Sequence, residues 1–150
     1  GIFKGETINT PSMLAVEDAL DGLRWAEGVG GLKGLIARCE RSLGAVEAWV
    51  ERTPWVEFLA RRKEIRSPTS VCLAIVDPAF TALDDAGQQA FVKDMTKLLA
   101  EQKVAYDIAS YRDAPAGLRI WCGATVETDD VAALLPWLDW AFAETKQRLA

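Results

Sequence analysis

The alternating stretch Gly117 to Val126 constrains the fold more than any other part of the chain. In a strand, successive side chains point to opposite faces, so a period of two sorts residues into two sets. Leu118, Ile120, Cys122, Ala124 and Val126 form one set, and Arg119, Trp121, Gly123 and Thr125 the other. The first set is apolar throughout and needs a layer of helices over it. The second carries one arginine beside a tryptophan and a glycine, fewer charges than a solvated strand face usually holds. That suits a face covered by a ligand or another domain. Periodicity taken alone favours the plainer account, in which Arg119 is a solvated cation on an open sheet.

The rest of the chain supplies helices and partner strands. Thr10 is placed as an N-cap and Pro11 as the first helical residue, where a missing N–H costs nothing. Met13, Val16, Leu20 and Leu23 continue one helical face, which ends at Gly28-Val29-Gly30-Gly31. A second helix carries Leu32, Leu35, Ile36, Cys39, Leu43, Val46 and Val50 at helical spacing and stops at Thr53-Pro54. Trp55 to Leu59 reads as a short strand, and Arg61 to Pro68 as a charged, solvated turn. Val71 to Val76 reads as a strand buried on both faces. A helix is expected from about Asp84 to Gln102, a weaker strand from Val104 to Ser110, and a loop from Tyr111 to Gly117. The last helix is expected to take Thr128 as its N-cap and to bury Val131, Leu134, Leu135, Leu138 and Phe142, with a kink at Pro136. The six tryptophans sit mostly at packing positions. The order helix, helix, strand, strand, helix, strand, strand, helix predicts an α+β fold: a mainly antiparallel sheet with helices packed on one face.

Totals narrow the function. The 150 residues suffice for one domain with its own core. A net charge of −5 argues against nucleic acid, which needs a basic surface. No apolar run approaches the ~20 residues of a membrane span, and no signal peptide is visible. Cys39, Cys72 and Cys122 all fall on apolar positions and read as reduced residues of a cytoplasmic protein. With no histidine, Ser-His and Cys-His nucleophiles are excluded and a metal site is not expected. The chain opens Gly-Ile-Phe-Lys without an initiator methionine, as a piece of a longer protein would.

Two features have chemistry of their own. Asn9-Thr10 stands at a helix entrance, where side-chain donors and free N–H groups suit an anion such as phosphate, although plain capping is the commoner use. Arg119 offers a planar fork that matches a carboxylate with two parallel hydrogen bonds.

Several segments together resemble the phosphoserine aminotransferases. They are Thr7-Ile8-Asn9-Thr10-Pro11-Ser12-Met13-Leu14, then Val16-Glu17-Asp18-Ala19-Leu20 and Trp25-Ala26, Thr53-Pro54-Trp55-Val56, Ser67 to Leu73, and Gly117-Leu118-Arg119-Ile120-Trp121-Cys122-Gly123, all in the family's order. The resemblance implies the C-terminal small domain of a class V, fold-type I enzyme that uses pyridoxal 5'-phosphate. Such an enzyme moves an amino group between glutamate and 3-phosphohydroxypyruvate, giving phosphoserine and 2-oxoglutarate in serine biosynthesis. It implies a homodimer, with Asn9 and Thr10 reaching the cofactor phosphate of the neighbouring subunit and Arg119 holding the substrate α-carboxylate. Residues 1–10 would be a linker and cofactor-loop segment from a missing N-terminal large domain, and 11–150 the small domain. The Schiff-base lysine and the substrate-phosphate ligands would lie upstream, so this chain alone is expected to bind no cofactor and to be inactive. Ser12 departs from the second proline many relatives carry. Two other readings stay open: a free-standing, non-enzymatic ligand-binding or oligomerisation module, and another class V transaminase such as a serine–glyoxylate enzyme.

Overall fold

A computed structural model describes every residue except Ile2, Phe3, Ile8, Arg112 and Ala150. The Thr7-Ile8-Asn9 segment and the 111–117 loop therefore lie partly outside the described residues. The elements run α1 (Met13–Gly28), α2 (Gly31–Val50), β1 (Val56–Phe58), β2 (Ser70–Ile75), α3 (Pro78–Thr81), α4 (Asp85–Glu101), β3 (Gly117–Trp121) and α5 (Thr128–Gln147), with a 3-10 turn at Lys63–Ile65. The chain divides into two compact units, residues 1–37 and 38–150.

In the first unit, α1 starts two residues later than its sequence suggests. Ser12, not Thr10, is the N-cap, and its hydroxyl accepts from Ala15 N. Thr10 N is instead taken by the Asn9 side chain at 2.7 Å. Met13, Val16, Leu20 and Leu23 form the expected stripe, yet no residue of α1 is buried. One helix and the start of a second enclose too little apolar surface to make a core. Gly30 and Gly31 turn the chain from α1 into α2 with φ of 102° and 61°, a conformation that penalises a side chain.

The second unit holds the core. β1, β2 and β3 form an antiparallel sheet in that order, with Val56 opposite Ile75, Leu73 opposite Leu118 and Cys72 opposite Arg119. Val71, Leu73, Ile75, Leu118 and Ile120 turn one face into a buried cluster with Val46 and Trp49 of α2, Phe80 of α3, Phe91, Met95 and Leu99 of α4, and Leu135, Leu138 and Phe142 of α5. The expected α+β arrangement is found. β2 is not buried on both faces, however: Ser70, Cys72 and Ala74 are only half-buried. The helices pack against one side of the sheet, so the other side is left partly open.

The expected strand at 104–110 is reduced to a single bridge, Ala109 to Leu118. Lys103 and Asp107 both have left-handed backbones, φ 59° and 52°, which interrupt an extended ladder. β3 stops at Trp121, since Val126 N bonds Gly123 O and closes a turn. Of the expected α2 stripe Cys39 and Val46 are buried and Leu43 and Val50 pack against the core, and the buried side widens to Ser42 and Trp49. Both polar members are satisfied there: Ser42 Oγ lies 3.1 Å from Thr128 Oγ1, and Trp49 Nε1 donates to Asp139. Thr128 is thus drawn into helix α5 as its first residue, with Glu127 at the cap position. Leu134 is half-buried, and the helical span runs through Pro136. Three of the six tryptophans, Trp25, Trp121 and Trp137, lie exposed and outside the buried core.

At Gly117, opposite Ala74, the β2 backbone leaves no room for a side chain. A Cβ there would lie 2.3 Å from Leu73 O, a backbone atom that cannot turn aside. Gly117→Ala should therefore destabilise the chain by ~1–3 kcal/mol through overpacking. Urea unfolding checks this, and an unchanged midpoint would mean that the strands slide apart at no cost.

Cys39 and Cys122 are buried and Cys72 is half-buried. Burial, and secondarily the neighbouring Cys39 thiol, push the Cys122 thiol up to about 11. A group raised in the folded state stabilises fully below its unfolded value of 9.0, and that contribution is lost as pH rises through the folded value. At pH 8 Cys122 is therefore held as the neutral thiol. A thiol reagent at that pH should label Cys72 first and reach Cys39 and Cys122 only on unfolding. Mass mapping of the labelled peptides reads this directly, and native labelling of Cys122 ahead of Cys72 contradicts it.

Candidate functional site

The half-open sheet face carries the site. The alternation of β3 turns Leu118 and Ile120 to the core, and so turns Arg119 and Trp121 the other way. Register places Arg119 beside Cys72 and Trp121 beside Ser70 on β2. The 105–110 segment runs along the far side of β3. Arg119 N donates to Ile108 O at 2.8 Å, and Ser110 N donates to Gly117 O at 3.0 Å. These bonds hold Tyr106, Asp107 and Ile108 as a lip. The lip, Arg119, Trp121 and Ser70 line a cavity of about 300 Å³.

Trp121 is exposed, but it is not loose. A Cβ on Gly123 would fall 2.5 Å from the indole Cζ2, so the buried glycine leaves room for the ring to lie against the backbone. The glycine of the Arg-Ile-Trp-Cys-Gly sequence thus shapes the cavity wall through Trp121.

Arg119 is short of acceptors. Its Nε is buried with no hydrogen-bond partner among the described residues. Among the described residues its one ion pair is Nη2 to Asp107 Oδ2 at 3.6 Å, too long for a hydrogen bond. A buried donor without an acceptor is unfavourable by ~1–3 kcal/mol. The arrangement suits a carboxylate, which brings two acceptor oxygens to a planar fork. Asp107 and Tyr106 were not evident as site residues in the sequence, because Val104 to Ser110 reads as a strand. The available signal was Asp107 itself, a residue type strands avoid.

Asn9 and Thr10 lie in the first unit and are exposed. With Asn9 Oδ1 accepting from Thr10 N, the Asn9 amide nitrogen and the Thr10 hydroxyl remain as donors. That donor set fits a phosphate, though without the helix-mouth N–H groups expected at Thr10, since the helix opens at Ser12. In the basic run at 61–66, residues 61–65 are exposed as expected and Arg66 alone is half-buried. Arg66 donates to Glu47 at 3.2 Å and to Ala60 O at 3.1 Å, and its guanidinium lies 4.0 Å from the Phe58 ring centroid. Lys63 also pairs with Glu47. These contacts are structural and leave fewer charges for an anion. Among the described residues there is no group of three or more metal-ligating side chains, and no helix long and apolar enough to cross a membrane.

Comparison with known proteins places the fold first. The α+β arrangement is that of the C-terminal domain in solved phosphoserine aminotransferases. It superposes on a phosphoserine aminotransferase from Bacillus circulans subsp. alkalophilus with a TM-score of 0.73 at 17% identity, over 91% of this chain and 34% of that one. It matches a "PLP bound" phosphoserine aminotransferase from Trichomonas vaginalis with a TM-score of 0.73 at 19% identity, over 92% of this chain and 36% of that one. The sequence then gives the particular relationship: this chain is a homologue of phosphoserine aminotransferase. It is 53% identical over 141 residues to the enzyme of Methanosarcina mazei, covering 94% of this chain and 35% of that protein. To the Methanosarcina barkeri protein it is 54% identical, with the same coverage. No family model matches. The chain spans about a third of the length of the curated relatives it matches.

Proposed function

We propose that this chain forms the C-terminal small domain, residues 11–150, of a pyridoxal-phosphate-dependent phosphoserine aminotransferase, with residues 1–10 as a segment leading from a large domain. The observation that carries the reading is Arg119, a guanidinium short of acceptors in an open cavity, on a chain half-identical to proteins named for this reaction. Arg119 binds the α-carboxylate shared by glutamate and phosphoserine. Trp121, seated on Gly123, walls the same cavity. Asn9 and Thr10 donate to the cofactor phosphate held by a neighbouring subunit. Pyridoxal phosphate, when bound, supplies the electron sink for amino transfer. The exposed apolar stripe of α1, Met13, Leu14, Val16, Leu20 and Leu23, fits a surface covered by the large domain or by a second subunit in a homodimer. The setting is cytoplasmic serine biosynthesis.

The test is an assay of the complete protein with glutamate and 3-phosphohydroxypyruvate. Phosphoserine should form, and serine with glyoxylate should be turned over at least tenfold less efficiently in kcat/KM. Preference for the second pair overturns the substrate assignment. The 150-residue chain with added pyridoxal phosphate should turn over neither pair, since the lysine that anchors the cofactor lies outside it.

A further inference from the structure

We propose that Asp107 is a resident counter-ion that competes with ligand carboxylates for Arg119 and so sets how tightly the site holds an anion. The proposal rests on the carboxylate reading of Arg119 and adds a residue to it. Asp107 Oδ2 sits 3.6 Å from Arg119 Nη2, and both residues line the same cavity. Its backbone has a φ of 52°, a left-handed conformation that aspartate and asparagine tolerate better than most residues. Among the described residues its carboxylate has no other polar partner, and the side chain is 92% exposed. The pair is therefore Coulombic, hydrated and loosely held. Among the described residues it leaves Arg119 without a side-chain hydrogen bond, and its Nε buried and unpartnered.

A ligand carboxylate that engages the fork gains two charge-assisted bonds that Asp107 does not make at 3.6 Å. Asp107 then swings into solvent or stays close by, and in either case its negative charge opposes the incoming anion. Weakly bound anions are turned away, and ligands that use both oxygens displace it. A purely orienting Asp107 has the opposite sign, because removing it would loosen Arg119 and weaken binding. The sign of one affinity change separates the two roles.

The experiment follows the Arg119 Nε–Hε resonance of the ¹⁵N-labelled 150-residue chain, assigned by its loss in Arg119→Lys. Sodium acetate is the probe, at fixed low ionic strength, with acetamide as the neutral control. Asp107→Asn keeps the left-handed backbone and a polar side chain, and Asp107→Gly removes the side chain without backbone strain. Both should bind acetate ~3–10-fold more tightly than the parent, the size expected for one unit charge a few ångströms away in a largely aqueous site. The gain should shrink at high salt, and acetamide should move nothing. If acetate shifts Arg119 in the parent but binds both variants equally or more weakly, Asp107 is not a competitor and the proposal falls while the carboxylate reading stands. If acetate shifts Arg119 in none of the three proteins, the carboxylate reading falls and takes the proposal with it.

Discussion

Arg119→Ala is expected to lower kcat/KM of the proposed transamination by the complete protein by roughly one to three orders of magnitude, equally in both half-reactions. In the proposed reaction glutamate and phosphoserine differ at their far ends but share the α-carboxylate assigned to Arg119. Losing the fork removes charge-assisted hydrogen bonds that contribute ~1.5–3 kcal/mol each. Arg119→Lys should fall between, because an ammonium keeps the charge but not the two parallel donors. Folding should change little: the side chain makes only a loose ion pair with Asp107, and losing its unpartnered buried Nε relieves the fold. Single-turnover rates for each half-reaction, with a thermal midpoint, give the result. A variant that melts early but turns over normally would make Arg119 a structural residue.

Asp139→Leu should be the most destabilising single change away from the site, by ~2–5 kcal/mol. The Asp139 carboxylate accepts the indole N–H of Trp55 at 2.9 Å through Oδ1 and that of Trp49 at 3.0 Å through Oδ2. Both tryptophans are buried. Trp55 also stacks on Phe142 with ring centroids 4.3 Å apart and meets Trp49 edge-on at 5.5 Å. One carboxylate on α5 thus ties α2 and the entry to β1 into the core. Leucine fills the space but leaves two buried donors without acceptors. Asn keeps one acceptor oxygen and should lose about half as much. Urea unfolding of the two variants separates the effects, and a Leu variant as stable as the parent would show that water replaces the carboxylate.

Local signals read well from the sequence. α4, expected from about Asp84 to Gln102, spans Asp85–Glu101, since its apolar spacing and its aspartate cap lie within one stretch of chain; Asp84 Oδ1 accepts from Gly87 N at 2.8 Å. β2 and the first half of β3 were legible for the same reason. α1 shows where local signals stop. Its stripe is apolar in sequence, yet no residue of it is buried. Periodicity reports that a face is apolar, not that anything covers it. The widening of the buried side of α2 to Ser42 and Trp49 depends on Thr128 and Asp139, 86 and 90 residues away.

The candidate site divides in the same way. Arg119 and its position opposite the core-facing residues of β3 were fixed by alternation alone, because the pleat has a period of two whatever it packs against. The family resemblance was also written in the sequence, in short segments whose order survives without any coordinates. Only the tertiary structure decided what surrounds the guanidinium. Asp107 reaches it because a left-handed residue breaks an expected strand, Cys72 lies beside it through strand register, and Trp121 lies flat because Gly123 has no Cβ. Each of these depends on backbone placement between segments distant in sequence or on contact at a single atom, and neither leaves a periodic trace in the order of residues.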